Sequence, residues 1–229
     1  AETGYRIRIK ETPEDKNLHL NYLQALVDSS STSLDVYLLD ATWVGAISSG
    51  LLPLAQPSRF FEASLENNRL HGELLALPLT LDVGVLYVRD DLLDKYDYPL
   101  PETWQDVATM GEAIAKRESI NAYLFPNDAN NFTAQAVEWF TSEGASTIVE
   151  PSRYITIQNV PAIRTVASSW FRVLADAPSL DENETLESWQ AGKAVFMRHW
   201  AYYALQDRAL QEVHAKIIPL PTGKEGSHV

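Results

Sequence analysis

Residues 34–43 read Leu34-Asp35-Val36-Tyr37-Leu38-Leu39-Asp40-Ala41-Thr42-Trp43. The segment from Leu34 to Leu39 is short, β-branched and nearly uninterrupted in its apolar character, which predicts a buried parallel strand. Upstream, Leu20, Leu23, Ala25, Leu26 and Val27 recur at helix-compatible spacing within Leu18 to Val27. The Ser/Thr run from Ser29 to Ser33 separates that helix from the strand. Helix, loop and strand in this order point to an open α/β sheet. Asp40 and Trp43 then fall at the carboxyl end of the strand, where open α/β sheets place their ligands.

Working outward, Tyr5 to Lys10 alternates apolar and basic residues, the period of a strand with one buried face. Leu74 to Leu77 is a further apolar segment, stopped by Pro78. Val83 to Val88 predicts a strand, followed at once by a charged helix from Asp90 to Tyr96. Thr103-Trp104-Gln105-Asp106 has the form of a helix start, with Thr103 as N-cap and Asp106 as its capping-box partner, and the helix runs to about Arg117. A short strand over Tyr123 to Phe125 and a helix over Asn131 to Glu143, closed by Gly144, come next. A helix is expected over Pro161 to Ala175, with its proline in the first turn. A strand over Ala194 to Met197, a helix over Tyr202 to Val213 and a last strand over Lys216 to Leu220 complete the pattern. The chain has no internal repeat. Pro99 and Pro101 disfavour helix and mark a connection between two units, with the boundary between Asp82 and Pro101.

The 229 residues include 31 acidic and 18 basic side chains, a net charge of −13. Hydrophobic residues make up 45%, which places the chain among globular proteins and allows a sizeable core without disulfides or metals. The acidic balance argues against nucleic-acid binding, which needs Lys and Arg to neutralise phosphates. The chain has no cysteine, so thiolate metal sites, disulfides and cysteine nucleophiles are excluded. No apolar run approaches the roughly 20 residues of a membrane span.

No phosphate loop, dinucleotide fingerprint, nucleophile elbow or zinc helix occurs. His19, His71, His199, His214 and His228 are scattered, none at metal-ligand spacing from another, and no cofactor is implied. The aromatic residues are more informative: 6 Trp, 10 Tyr and 7 Phe, several beside polar groups at expected strand ends. Trp43 follows Asp40, while Trp200 and Tyr202 follow Arg198 and His199. A sugar presents C–H-rich faces ringed by hydroxyls, so its site combines flat aromatic faces with carboxylates and arginine. Trp104, Trp139 and Trp170 sit within helical patterns and are assigned to the core.

Several stretches carry a family resemblance, and they follow one another in the family's order. They are Glu2 to Ile7, Ser33 to Trp43, Gly50 to Leu54, Ala76 to Leu93 with Asp82 at its centre, Pro101 to Asp106, Gln190 to Trp200, and Ile218 to Pro221. Together they resemble the extracellular solute-binding proteins of ABC importers, in the sugar-binding family that includes maltose- and trehalose-binding proteins. The resemblance implies a periplasmic-binding-protein-like α/β fold of two lobes with a ligand cleft between them. Residues 1–82 would form part of the N-lobe, 83–101 the crossing segment or hinge region, and 102–229 part of the C-lobe. Members carry further segments before and after the matched stretches, so the resemblance also implies a chain truncated at both ends, its export signal absent.

The function so implied is capture of a sugar, a di- or oligosaccharide, and its delivery to membrane permease subunits, with the complete protein a monomer. No enzymatic activity is expected. Location would be periplasmic or extracellular, free or lipid-anchored. In the resemblance Trp200 is the stacking platform, Asp82 and Asp40 hydrogen-bond sugar hydroxyls, and Trp43, Tyr202 and Arg198 complete the ligand-binding set. Arg198 has a second reading, pairing with a carboxylate across the lobes. The family's glutamate position in the loop before the Asn131 helix holds Asn130 here. An alternative function is a glycoside-acting enzyme, which would need two carboxyls flanking one glycosidic bond.

Overall fold

A computed structural model describes residues 4–143, 164, 168, 177–205 and 213–223. The chain divides into two compact units, Ala1–Leu81 and Asp82–Val229. The division falls next to Asp82, and residues 83–101 lie in the second unit.

The first unit is built on helix α1 (Lys16–Asp28), whose N-cap Asp15 accepts a hydrogen bond from the Leu18 N–H. Two single-turn 3-10 segments, Ala41–Trp43 and Ser48–Gly50, and the short helix α2 (Glu62–Glu66) follow. Strands β1 (Arg69–Leu70) and β2 (Glu73–Leu74) pair antiparallel. Their turn places His71 and Gly72 at positive φ (52° and 86°), the demand of a tight two-residue hairpin. Leu23, Val44, Ile47, Leu65 and Leu74 form the buried interior.

Two sequence expectations fail in this unit. Neither Tyr5 to Lys10 nor Leu34 to Leu39 forms a strand. Ile7 is 84% exposed, Val36 85% and Leu38 67%, so these residues have the strand pattern without a sheet to join. Pattern supplies side chains for a buried face, but a strand exists only where a neighbour completes its hydrogen-bond ladder. Among the described residues no such neighbour lies beside either segment.

The second unit does build a sheet. Strands β3 (Gly84–Arg89), β4 (Asn121–Leu124), β5 (Ala194–Trp200) and β6 (Ala215–Pro219) lie in the order β4-β5-β3-β6. The β4–β5 pair is parallel and the other two are antiparallel. Helices α3 (Asp90–Lys95), α4 (Trp104–Glu118), α5 (Ala129–Ser142) and α6 (Glu182–Gln190) connect and cover it. Alternate strand residues feed two clusters. Leu86, Val88 and Tyr123 pack with Trp104, Val107 and Ile114 of α4 and Trp139 of α5. Tyr87, Leu124 and Met197 pack with Trp189 of α6. With both faces buried, apolar runs such as Ala194 to Met197 need no polar alternation.

Thr103 caps α4 in a full capping box with Asp106, as the sequence predicts. Trp104 and Trp139 are each 2% exposed, consistent with their assignment to the core. The helix expected over Pro161 to Ala175 lies outside the described residues except for Arg164 and Ser168, which are helical. Trp170 lies outside them too. Of the helix expected over Tyr202 to Val213, residues Ala201–Leu205 form a 3-10 segment and 206–212 are not described.

Candidate functional site

The carboxyl end of β5 is where the second unit's expected site residues meet. Strand β5 ends on Trp200, which pairs in register with Gly84 at the start of β3. Two further hydrogen bonds tie this end: Ala201 N–H donates to the Val83 carbonyl (2.8 Å), and the Tyr87 hydroxyl donates to the Trp200 carbonyl (2.9 Å). Because β4 runs parallel to β5, its carboxyl end opens on the same side and leads through Asp128 into α5. This is the edge at which α/β sheets hold ligands.

Asp82 precedes β3 and is exposed. Its Oδ1 accepts from its neighbour's amide, Val83 N–H (2.9 Å), and from Tyr202 N–H (3.1 Å). One carboxylate oxygen therefore fixes the turn after β5 to the entry of β3. Tyr202 is 53% exposed, and its ring meets Tyr203 edge-on at 5.3 Å. Asp82, Trp200 and Tyr202 thus gather at one sheet end, although 118 residues separate the first two in sequence.

Trp200 is partly exposed and held by its edge. Its Nε1–H is shared between Asn131 Oδ1 and Glu182 Oε1, both at 3.0 Å. Asn131 is itself fixed, donating through Nδ2 to Asp128 Oδ2 (2.6 Å) and to Glu182 Oε1 (3.0 Å). Asn131 and Glu182 stand in the first turns of α5 and α6, so two helix starts converge on one indole. Sequence reading did not single out Asn131, Asp128 or Glu182 as site residues. The pattern Asp181-x-x-Glu184, a capping box that starts α6, is the signal that would have located Glu182.

Arg198 takes the second of its two readings, as a partner for a carboxylate, and has no accessible surface. Its guanidinium forms a two-pronged ion pair with Glu138 of α5, Nε–H donating at 3.1 Å and Nη2–H donating to Oε1. The carboxylate partner comes from the same unit. Burial pushes the Glu138 carboxyl above its usual range, with the Arg198 hydrogen bond and charge pulling the other way. His199, also without accessible surface, places Nε2 3.2 Å from the Glu182 carbonyl oxygen. Burial drives its imidazole below the ordinary value of 6.5 despite that contact and the nearby carboxylates.

In the first unit, Asp40 caps the Ala41–Trp43 segment. Its Oδ1 accepts from Thr42 N–H (3.0 Å) and from the Thr42 hydroxyl (2.7 Å). Burial raises its pKa, but those hydrogen bonds and the charge of Lys16 outweigh it, so the carboxyl lies below its usual value. Trp43 is partly buried and meets His19 edge-on at 5.3 Å. Asp40 and Trp43 are therefore brought together within this unit, as a carboxylate–aromatic pair on one turn. Among the described residues, no group of His, Asp and Glu could hold a metal ion, and no helix is long and apolar enough to cross a membrane.

Comparison with known proteins identifies the family and the fold. The family described as bacterial extracellular solute-binding protein matches residues 1–228. A probable ABC transporter-binding protein from Deinococcus radiodurans is 33% identical over 245 residues, which cover 98% of this chain and 58% of that protein. The maltose-bound MalE3 of T. maritima superposes with a TM-score of 0.75 at 24% identity, over 97% of this chain and 61% of its own. An ABC transporter solute-binding protein from Agrobacterium radiobacter, in complex with ribitol, gives 0.73 at 16% identity, over 91% and 58%. The chain spans about three-fifths of the length of each. The fold is the α/β fold of periplasmic binding proteins.

Proposed function

Since the chain belongs to the bacterial extracellular solute-binding proteins, we propose that it captures a neutral di- or oligosaccharide for an ABC importer and hands it to membrane permease subunits. One observation carries this reading: at the carboxyl end of β5 a partly exposed indole, pinned by its edge, stands with the exposed Asp82 and Tyr202. The indole offers a flat apolar face to sugar C–H groups, and the carboxylate accepts from hydroxyls. Asp40 and Trp43 present the same two chemistries on the first unit. Maltose and ribitol, bound in two similar structures, are neutral and polyhydroxylated, which supports the substrate class without choosing its member.

In this reading no bond is made or broken, and the ligand leaves as it arrived. The protein works outside the cytoplasmic membrane, in the periplasm or attached to the cell surface by a lipid, as a monomer. Calorimetric titration with maltose, trehalose and ribitol tests it. Saturable binding of maltose or trehalose, weakened at least about tenfold by Trp200→Ala, is the expected result, with ribitol as the small-polyol comparison; tenfold corresponds to about 1.4 kcal/mol. Failure of the whole panel, or turnover of a bound sugar that Asp82→Ala abolishes, would overturn it.

A further inference from the structure

We infer that Arg198, Glu138 and Gly84 are positioning residues that hold the face of the Trp200 indole, completing what Asn131 and Glu182 do for its edge. The inference rests on Trp200 being the platform of the proposed sugar site. Arg198 and Trp200 lie two apart on β5, so their side chains leave the same face of the strand. The Arg198 Cζ stands 4.1 Å from the indole centroid, well inside the range of about 6 Å for a cation over an aromatic face. Since Arg198 is wholly buried and Trp200 is not, the accessible part of the ring lies away from that cation.

A guanidinium free to swing would not fix the ring above it. Glu138 removes that freedom by gripping both Nε and Nη2, the fork geometry that suits arginine and not lysine. Space for the pair comes from Gly84, directly across the ladder from Trp200. A Cβ at Gly84 would lie 2.5 Å from both Arg198 Nη2 and Glu138 Oε1, closer than real contacts allow. No positive φ requires glycine there; the missing side chain itself is what the site uses. The indole is thereby held on one face and along one edge before any ligand arrives. Preorganisation of this kind reduces the ordering cost of binding.

Protein labelled with 5-fluorotryptophan tests the inference by fluorine NMR, with Trp200→Phe assigning the Trp200 resonance. The double variant Arg198→Met/Glu138→Gln removes both buried charges together and keeps the net charge. Gly84→Ala leaves every charge in place and inserts a methyl group between the partners. Each is expected to move the Trp200 resonance by more than its linewidth while those of Trp104 and Trp189 stay in place. Arg198→Lys, which keeps the cation and loses the fork, is expected to move it less than the double variant. A Trp200 resonance unchanged in both the double variant and Gly84→Ala, with only the melting temperature lowered, would overturn the inference. So would loss of the folded spectrum in both, since the pair would then hold the unit and not the ring. If the double variant alone unfolds, Gly84→Ala decides on the same criterion. Adding maltose to the unsubstituted labelled protein separates the two readings: a Trp200 shift supports the sugar site, and its absence counts against maltose capture alone.

Discussion

The two units carry similar apolar runs and treat them in opposite ways. In the second, Ala194 to Met197 is fully buried at the centre of a sheet, paired on one side with β3 and on the other with β4. In the first, Leu34 to Leu39 has an equally strand-like composition, yet Val36 and Leu38 stand largely exposed. The difference is in the neighbours and not in the residues. A strand gains its stability from ladder hydrogen bonds and from cross-strand side-chain pairs, which an apolar run cannot supply for itself. The first unit is held instead by α1, the short helix α2 and a two-residue-strand hairpin around Leu23, Ile47 and Leu65.

The contrast is broken most directly by truncating one residue on each side. Phe196→Ala removes a fully buried ring from the middle of β5 and should destabilise the second unit by about 3–5 kcal/mol. Leu38→Ala should change stability by no more than about 0.5 kcal/mol, as for other exposed positions. Urea unfolding of the two variants compares them. A Leu38 effect approaching that of Phe196 would mean that the 34–39 run is buried in solution after all.

Charge gives the next largest effect. Arg198→Met alone leaves the largely buried Glu138 carboxylate without its counter-ion, and single removal of a buried partner destabilises by about 3–5 kcal/mol. Adding Glu138→Gln should recover a large part of that loss, because no ionised group is then left stranded. Denaturation midpoints of the single and double variants measure the recovery. A double variant no better than the single would show that packing of the arginine stem, and not its charge, dominates.

What was legible in the sequence follows the same division. Strand β3, helix α4 with its Thr103–Asp106 capping box, and strand β6 appear within a residue or two of their expected places. Each is announced locally, by an apolar run or a cap, and each has partners in the unit. Helix α6 was missed because its polar sequence, Glu182 to Gln190, has few apolar residues to show a period, although its Asp181 cap is visible. Trp200, Asp82 and Tyr202 were found as candidates through resemblance, whereas Asn131 and Glu182 reach Trp200 only by tertiary packing over 69 and 18 residues. Arg198 carried two readings because an arginine beside a candidate platform suits a ligand contact and a carboxylate partner alike. Burial alone separates them, and burial is not written in the motif.

Helix caps sharpen the comparison at a smaller scale. Thr103 accepts from Asp106 N–H and its backbone N–H is satisfied in return, whereas Asp15 makes the single side-chain contact to Leu18. Thr103→Ala should therefore cost about 1–2 kcal/mol and Asp15→Ala nearer about 0.5 kcal/mol, the upper and lower ends of the range for caps. Thermal melts of both variants rank them. Equal losses would imply that the reciprocal half of the box adds nothing here.

The smallest expected effect is the pH response of His199. Its imidazole is buried, with Nδ1 lacking a hydrogen-bond partner among the described residues and Nε2 beside the Glu182 carbonyl. The folded protein therefore holds it neutral, donating through Nε2, with its pKa below the ordinary 6.5. Above that value both folded and unfolded chains carry a neutral ring, and the stabilising preference of the fold is fully present. As the pH falls below it, the unfolded chain takes up the proton first, so stability declines until the folded ring also protonates. Glu138 acts in the opposite sense, because burial raises its pKa in the fold and acidification relieves that penalty. Comparing the protein with His199→Gln, which retains a donor for the carbonyl, removes the contribution common to both. The expected outcome is a shallower fall of melting temperature between neutral pH and the lower pKa in the variant. Parallel curves would place the acid sensitivity elsewhere, and a steeper fall in the variant would mean that the buried imidazole is charged in the fold.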